Sequence, residues 1–478
     1  MVGKAAAPVN PEVRTYCRSA GEALYSAPMS HSFAILSRRV VIDGEIRPAA
    51  ILIDGERIAD IVEIDQVPPG HAIDDRGDQV VMAGVVDVHV HVNEPGRTDW
   101  EGFETATRAA CAGGITTLVD MPLNSSPVTT NAAAFREKLA AAEGQLFVDC
   151  GFYAGLVPGN ADRLEELIDA GVLGVKAFLC HSGIDEFPNA TEDDLRAAMP
   201  ILARRGVPLL VHAELVDDHN SSALAEDPRN YAAYAASRPQ RWEVRAIQLL
   251  IELCRETGCH VHIVHLAASK ALPILRDARK EGLPITVETG PHYLYFSASE
   301  IADGDTLAKC APPIRDDDNR RRLIDALIDG EIDFVATDHS PSPPSMKALE
   351  SGDFQKAWGG ISSLQILLPA LWTALAARDV EIPDIARWLA EAPAKLVGLS
   401  DEVGTIAPGK LANLVIWDPQ ASFEVAPKKL HHRHPITPYK GHKLRGLVHA
   451  TYLRGQAIFD QQTVHPEPTG RALFTTKE

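Results

Sequence analysis

The chain has 478 residues, 45% of them hydrophobic and 23% charged, which is enough length for more than one domain and the balance of a soluble globular protein. Its 46 basic and 65 acidic residues give a net charge of −19, a balance that disfavours nucleic acid and anionic membranes as partners. Seven scattered cysteines (Cys17, Cys111, Cys150, Cys180, Cys254, Cys259, Cys310), with no Cys-x-x-Cys, argue against a disulfide scaffold and for reduced thiols in a cytoplasmic protein.

Residues 1–32 interleave Ala, Pro and charges without a signal-like apolar core, so a disordered tail is expected there. No run in the chain approaches the ~18–20 apolar residues of a membrane span. Short β-like runs follow at 33–36, 40–42, 50–53 and 58–61, punctuated by Asp43-Gly44 and Asp54-Gly55 turns. A matching set lies at 414–417, 447–453 and 457–459. Neither set looks large enough to stand alone, so residues 33–84 and 400–470 are expected to form one small β-sandwich built from both termini.

Between them, over 85–399, apolar strands alternate with amphipathic helices. Strands are expected near 85–89, 115–120, 147–151, 173–178, 208–212, 260–265, 284–289 and 332–338. Helices are expected at 99–112, 131–142, 161–170, 192–205, 241–257 and 268–281. Near-continuous apolar strands separated by helices indicate a parallel sheet covered on both faces, and eight of them fit a (β/α)8 TIM-like barrel. A doubly wound sheet is the alternative, but no Gly-x-Gly-x-x-Gly or Walker-type loop supports nucleotide binding.

Barrel enzymes keep their chemistry at the C-terminal ends of the strands. Strand one ends in His89 and His91, whose i, i+2 spacing points both rings to one face. Strand four carries Lys176 among apolar neighbours, strands five and six end in His212 and His265, and strand eight ends in Asp338. Alone, His212 or His265 would read as a hydrogen-bonded core histidine, and His260 and His262 are read as structural. Lys176 is harder to explain structurally, because burial drives an amine toward its neutral form, which can add carbon dioxide to become a bridging carbamate. Six metal-competent side chains thus converge on one expected mouth.

With these residues the chain resembles the amidohydrolase superfamily, in the cyclic-amidohydrolase branch that holds dihydroorotases, hydantoinases and allantoinases. The local wording is most similar to allantoinases over residues 91–105 (HVNEPGRTDWEGFET), 121–124 (MPLN), 338–347 (DHSPSPPSMK) and 356–362 (KAWGGIS). The resemblance implies two divalent cations: His89, His91 and Asp338 on one, His212 and His265 on the other, with Lys176, carboxylated by CO2, bridging them. Around Lys176 the chain has Val-Lys-Ala-Phe where relatives often carry Phe-Lys-Cys-Phe; both changes keep apolar flanks. Zinc suits such ligands, and Co, Mn or Fe would also be accepted.

The implied reaction is hydrolysis of the hydantoin-ring amide of (S)-allantoin to allantoate by a hydroxide shared between the metals, with Asp338 shuttling the proton to the leaving nitrogen. Dihydroorotases place an Arg shortly after His-x-His to hold a substrate carboxylate; Val92 and Asn93 stand here instead, against dihydroorotate. A related hydantoinase or dihydropyrimidinase is the alternative. Candidate substrate contacts are Asn124, the backbone of Thr289 and Gly290, Arg315 and Ser340, although Arg315 reads equally as an ion-pair partner of Asp316 to Asp318. A homotetramer follows from the same resemblance, since relatives commonly form one.

Overall fold

Strands from the two ends of the chain meet in one nine-stranded sheet. In this computed structural model, residues 32–217 and 222–474 are described, so the tail expected over 1–32 lies outside the described residues, Ser32 apart. The sheet runs in the order Thr463–Val464, Gln456–Asp460, Lys443–Leu453, Leu414–Glu424, Val80–Ala83, Phe33–Ile42, Glu45–Asp54, Arg57–Val62, with Ala72–Asp75 also paired to Phe33–Ile42. The two halves are joined by antiparallel pairing of Ala83 with Leu414 through Val80 with Trp417.

Alternation decides the faces of this sheet. Ile35, Ile51, Ile53 and Val81 from the N-terminal part share one apolar cluster with Leu414, Ile416 and Ala450 from the C-terminal part, which is the interior of the sandwich. Ala34, Leu36, Ala50 and Leu52 point the other way and are covered by Val62, Ile64 and Val67. The runs expected separately at 33–36 and 40–42 are one strand, because an irregularity between Ser37 and Val40 breaks the alternation without breaking the pairing.

The central strands are Val85–Val90, Ile115–Asp120, Asp149–Phe152 continued by Ala154–Gly155, Val175–Phe178, Leu209–His212, Val261–Ile263, Ile285–Thr289 and Phe334–Val335. All neighbouring pairs are parallel. The ring closes where the His91 N–H donates to the His339 carbonyl at 2.8 Å, beside a parallel bridge between Val90 and His339. Nearly every residue of these strands is buried, which is why they read as apolar runs rather than alternating ones.

Helices Phe103–Ala112, Ala132–Ala142, Glu192–Arg205, Gln240–Thr257 and Leu272–Lys280 connect them. Glu192–Arg205 shows how local sequence sets its ends. Thr191 and Asp194 form a reciprocal capping box at the start, and Gly206, at φ 60°, takes the left-handed turn that stops it. Six cysteines are free and buried, and Cys17 lies outside the described residues. Among the described residues, no helix is long and apolar enough to cross a membrane.

Candidate metal centre

The first barrel strand delivers His89 and His91 to the mouth, and the chain turns away at Asn93, which adopts φ 68°. His265 and Asp338 also have left-handed backbones, φ 40° and 46°, at the point where their strands end. Non-glycine residues hold such angles only where the surroundings enforce them, commonly at functional sites.

The side chains converge. Asp338 Oδ1 lies 3.3 Å from His89 Nε2 and 3.5 Å from His91 Nε2, so these three form a buried group able to hold a metal ion. His212 Nδ1 is 3.1 Å from His265 Nε2. The His89 ring centroid is 5.6 Å from that of His91 and 5.4 Å from that of His265, which links the two groups. Lys176 is fully buried, and among the described residues its Nζ has no hydrogen-bond partner; the same holds for His89 Nε2 and His265 Nδ1. Buried nitrogens without a partner, such as Lys176 Nζ and His89 Nε2 on the cavity floor, are costly unless something binds them. The donor set fits a binuclear cation site.

Burial pushes the Lys176 amine down to about 8, against the opposing pull of Asp338 and Glu288. Burial likewise lowers His89 and His265, with His212 adding to the effect on His265, and keeps both rings neutral as ligands must be. For Asp338 burial opposes ionisation, but His89, His91 and His265 outweigh it and hold the carboxyl well below its usual range. His212 differs: burial opposes its charge, yet Cys180 and Glu214 raise it to about 9, so a cation binding there must displace a proton.

Behind the ligands stand residues that the sequence reading did not single out. The His89 Nδ1 is hydrogen-bonded to Glu288, whose other oxygen is 3.1 Å from His262 Nε2. His262, read as structural, is deep in the barrel, stacked on Phe334 and 2.8 Å from the Thr286 hydroxyl. His212 Nε2 is 2.8 Å from Glu214, which in turn is paired with Arg238, and the His212 ring stacks on Phe178 with centroids 4.6 Å apart. His91 Nδ1 is tied to the Leu123 carbonyl at 3.0 Å. Each such partner fixes which ring nitrogen faces the cluster. Glu288, a carboxylate inside an apolar strand, carried the same signal that marked Lys176.

The cluster forms the floor of a cavity of about 750 Å³ that also takes in Asn124 and Ser340. Asn124 Nδ2 donates to Asn93 Oδ1 at 3.1 Å. The other expected substrate contacts are placed elsewhere. Arg315 does not line this cavity: it is paired with Glu243 at 3.1 Å and donates to the Ala235 carbonyl at 3.1 Å, so neither the cavity nor Asp316 to Asp318 holds it. The Thr289 hydroxyl donates to the Leu266 carbonyl at 2.8 Å, and Gly290 is packed against His292; neither residue is among those lining the cavity.

Residues 80–458 match the model of the amidohydrolase family. The chain belongs to that family. Among curated amidohydrolase relatives, it is 46% identical to an allantoinase of Streptomyces avermitilis over 91% of its own length and 97% of that protein's. It is 45% identical to a probable allantoinase of Oryza sativa subsp. japonica, covering 92% of this chain and 90% of that one. Among solved structures it superposes on the L-hydantoinase (dihydropyrimidinase) of Arthrobacter aurescens with a TM-score of 0.87 at 30% identity, covering 93% of this chain and all of that one. The matched amidohydrolase region takes in all six converging side chains and all eight barrel strands.

Proposed function

We propose that the chain is an allantoinase that opens the hydantoin ring of (S)-allantoin to allantoate by hydrolysing its ring amide. One observation carries the reading: six ligand-type side chains meet on one cavity floor in a chain 46% identical to an allantoinase across nearly its whole length. His89, His91 and Asp338 would hold one divalent cation and His212 and His265 the other. Lys176 would bridge them after its neutral amine adds CO2 and releases a proton. Imidazole and carboxylate donors favour zinc, with Co, Mn or Fe as substitutes. Bound cations would polarise the amide carbonyl and lower the pKa of water toward ~7.

The residues of the chain do the rest. Asp338, held ionised in the cluster, accepts a proton on its carboxylate oxygen as water attacks and passes it to the leaving ring nitrogen. Glu288 and Glu214 keep His89 and His212 in one tautomer and orientation. Asn124 and Ser340 offer neutral polar groups to a flat, uncharged ureide. The side chain of Arg97 clamps this edge, Nη1 donating to the Asn124 carbonyl at 2.6 Å and Nη2 to Glu186 at 2.7 Å.

The test is turnover of allantoin, hydantoin and dihydrouracil by protein loaded with metal and bicarbonate. Allantoin should lead in kcat/KM by about 100-fold or more, roughly 2.7 kcal/mol of differential transition-state binding. A lead for hydantoin or dihydrouracil would assign the chain to the hydantoinase or dihydropyrimidinase activity instead.

A further inference from the structure

Part of the cavity wall, residues 354–360, is fastened by two lysines that the hydrolytic chemistry does not use. Lys309 Nζ donates to the Ala357 carbonyl at 2.6 Å, and its own carbonyl accepts from the Gly360 N–H at 2.8 Å. Lys347, buried behind it, donates to the carbonyls of Gly360 at 2.6 Å and Trp358 at 3.3 Å. Neither ammonium forms an ion pair among the described residues; their acceptors are backbone carbonyls. Nearby charges do not neutralise them. Asp353, the carboxylate that acts on Lys309, is paired with Lys356 at 3.1 Å, and Glu214 is shared between Arg238 and His212.

Lys347 is enclosed, but Lys309 lines the cavity, with its Nζ 5.4 Å from the Tyr234 ring centroid. Burial and the neighbouring cations push Lys309 to about 8 and Lys347 to about 7. Carbonyl dipoles satisfy an ammonium's donors without cancelling its charge, so a largely buried cation at a cavity wall is stabilised by an arriving anion. A neutral ureide brings none. Hydrolysis of its ring amide adds water across the C–N bond and leaves a carboxylate, so the ring-opened acid carries the charge that this wall lacks.

We propose that Lys309 is the core of a carboxylate-binding subsite in this cavity, which takes the acid group created by ring opening as the product leaves the cation site; this rests on the ring-opening reading above. Lys347 supports it by holding Trp358 and Gly360 in place behind Lys309. A charged donor fixed in the wall distinguishes product from substrate, whereas Asn124 and Ser340 treat both alike.

The experiment is calorimetric binding of hydantoate, a ring-opened ureido acid, and of its neutral primary amide to metal-loaded wild type, Lys309→Met and Lys309→Arg. Wild type should prefer the acid. Lys309→Met should weaken acid binding by about tenfold or more, the worth of one charge-assisted hydrogen bond, and Lys309→Arg should keep the preference. Equal loss for acid and amide would reduce Lys309 to a support of the wall. That result, an unchanged acid preference in Lys309→Met, or no acid preference in wild type overturns the proposal. Binding requires no turnover, so a Lys309-dependent acid preference in a protein that fails to open allantoin would leave the subsite standing and remove the assigned reaction.

Discussion

His212 Nδ1 stands 3.1 Å from His265 Nε2, from strands adjacent in the barrel but 53 positions apart in sequence. Glu214 occupies the far nitrogen of His212, so the near one is the ring's free lone pair once its proton leaves. Two imidazole nitrogens facing each other at this distance are well placed for a shared cation. Replacing His265 by Ala is expected to lower metal content from two equivalents per chain to about one and to cost about 100-fold or more in turnover. Elemental analysis beside the allantoin assay checks both.

Asp338 should separate binding from chemistry. In Asp338→Asn the amide keeps one oxygen beside His89 and His91 but cannot take up a proton. Metal content should remain above one equivalent per chain while kcat falls by about 10³-fold or more, within the range for loss of a positioned general acid–base. A wild-type kcat in this variant defeats the assigned role.

Loading of the site should depend on pH with a definite sign. Lys176 titrates at about 8 in the fold against an ordinary 10.5, and His212 at about 9 against 6.5. Carbamate formation needs the neutral amine and metal binding needs the neutral ring, so both gain as pH rises from 7 toward 9. The linkage signs are opposite for folding of the metal-free chain. The lowered Lys176 costs stability below about 8, and that cost is lifted as pH rises toward 10.5; the raised His212 stabilises below its ordinary 6.5, and that gain is lost as pH passes about 9. The initial rate of metal uptake with bicarbonate should rise by at least about fivefold from pH 7 to pH 8, as the neutral fraction of a group at about 8 does, and flatten only once pH has passed the values of both groups. A rate that falls over this range contradicts the assignment.

Glu288 gives a test of the supporting residues. Its carboxylate, held at about 2 by His89 and His262 against burial, joins the two rings. Glu288→Gln keeps the shape but removes the charge and one acceptor, and should weaken metal affinity by about 10–100-fold. Chelator-driven metal release followed by absorbance measures it, with circular dichroism to confirm that the barrel persists.

The strands and the converging side chains were legible because each leaves a mark in one dimension. Apolar runs that carry Lys or end in His or Asp mark the side chains that meet at the mouth, and all eight strands fall within a few residues of their expected positions. Glu288 was not legible as a partner, because its meaning lies in a ring brought from 199 positions away. Arg315 misled for the same reason. Its position after Pro312-Pro313-Ile314 suggested the mouth, but Glu243, on a distant helix, draws the guanidinium away. The bulge at Ser37 hid a continuous strand, since alternation read along the chain cannot register an extra residue.

The most direct measurement is metal per chain in protein loaded with zinc and bicarbonate, by elemental analysis, with Lys176→Met in parallel. The account predicts two equivalents for wild type and a fall to one or fewer when Lys176 is replaced. Fewer than one equivalent in wild type, or two in Lys176→Met, would contradict it.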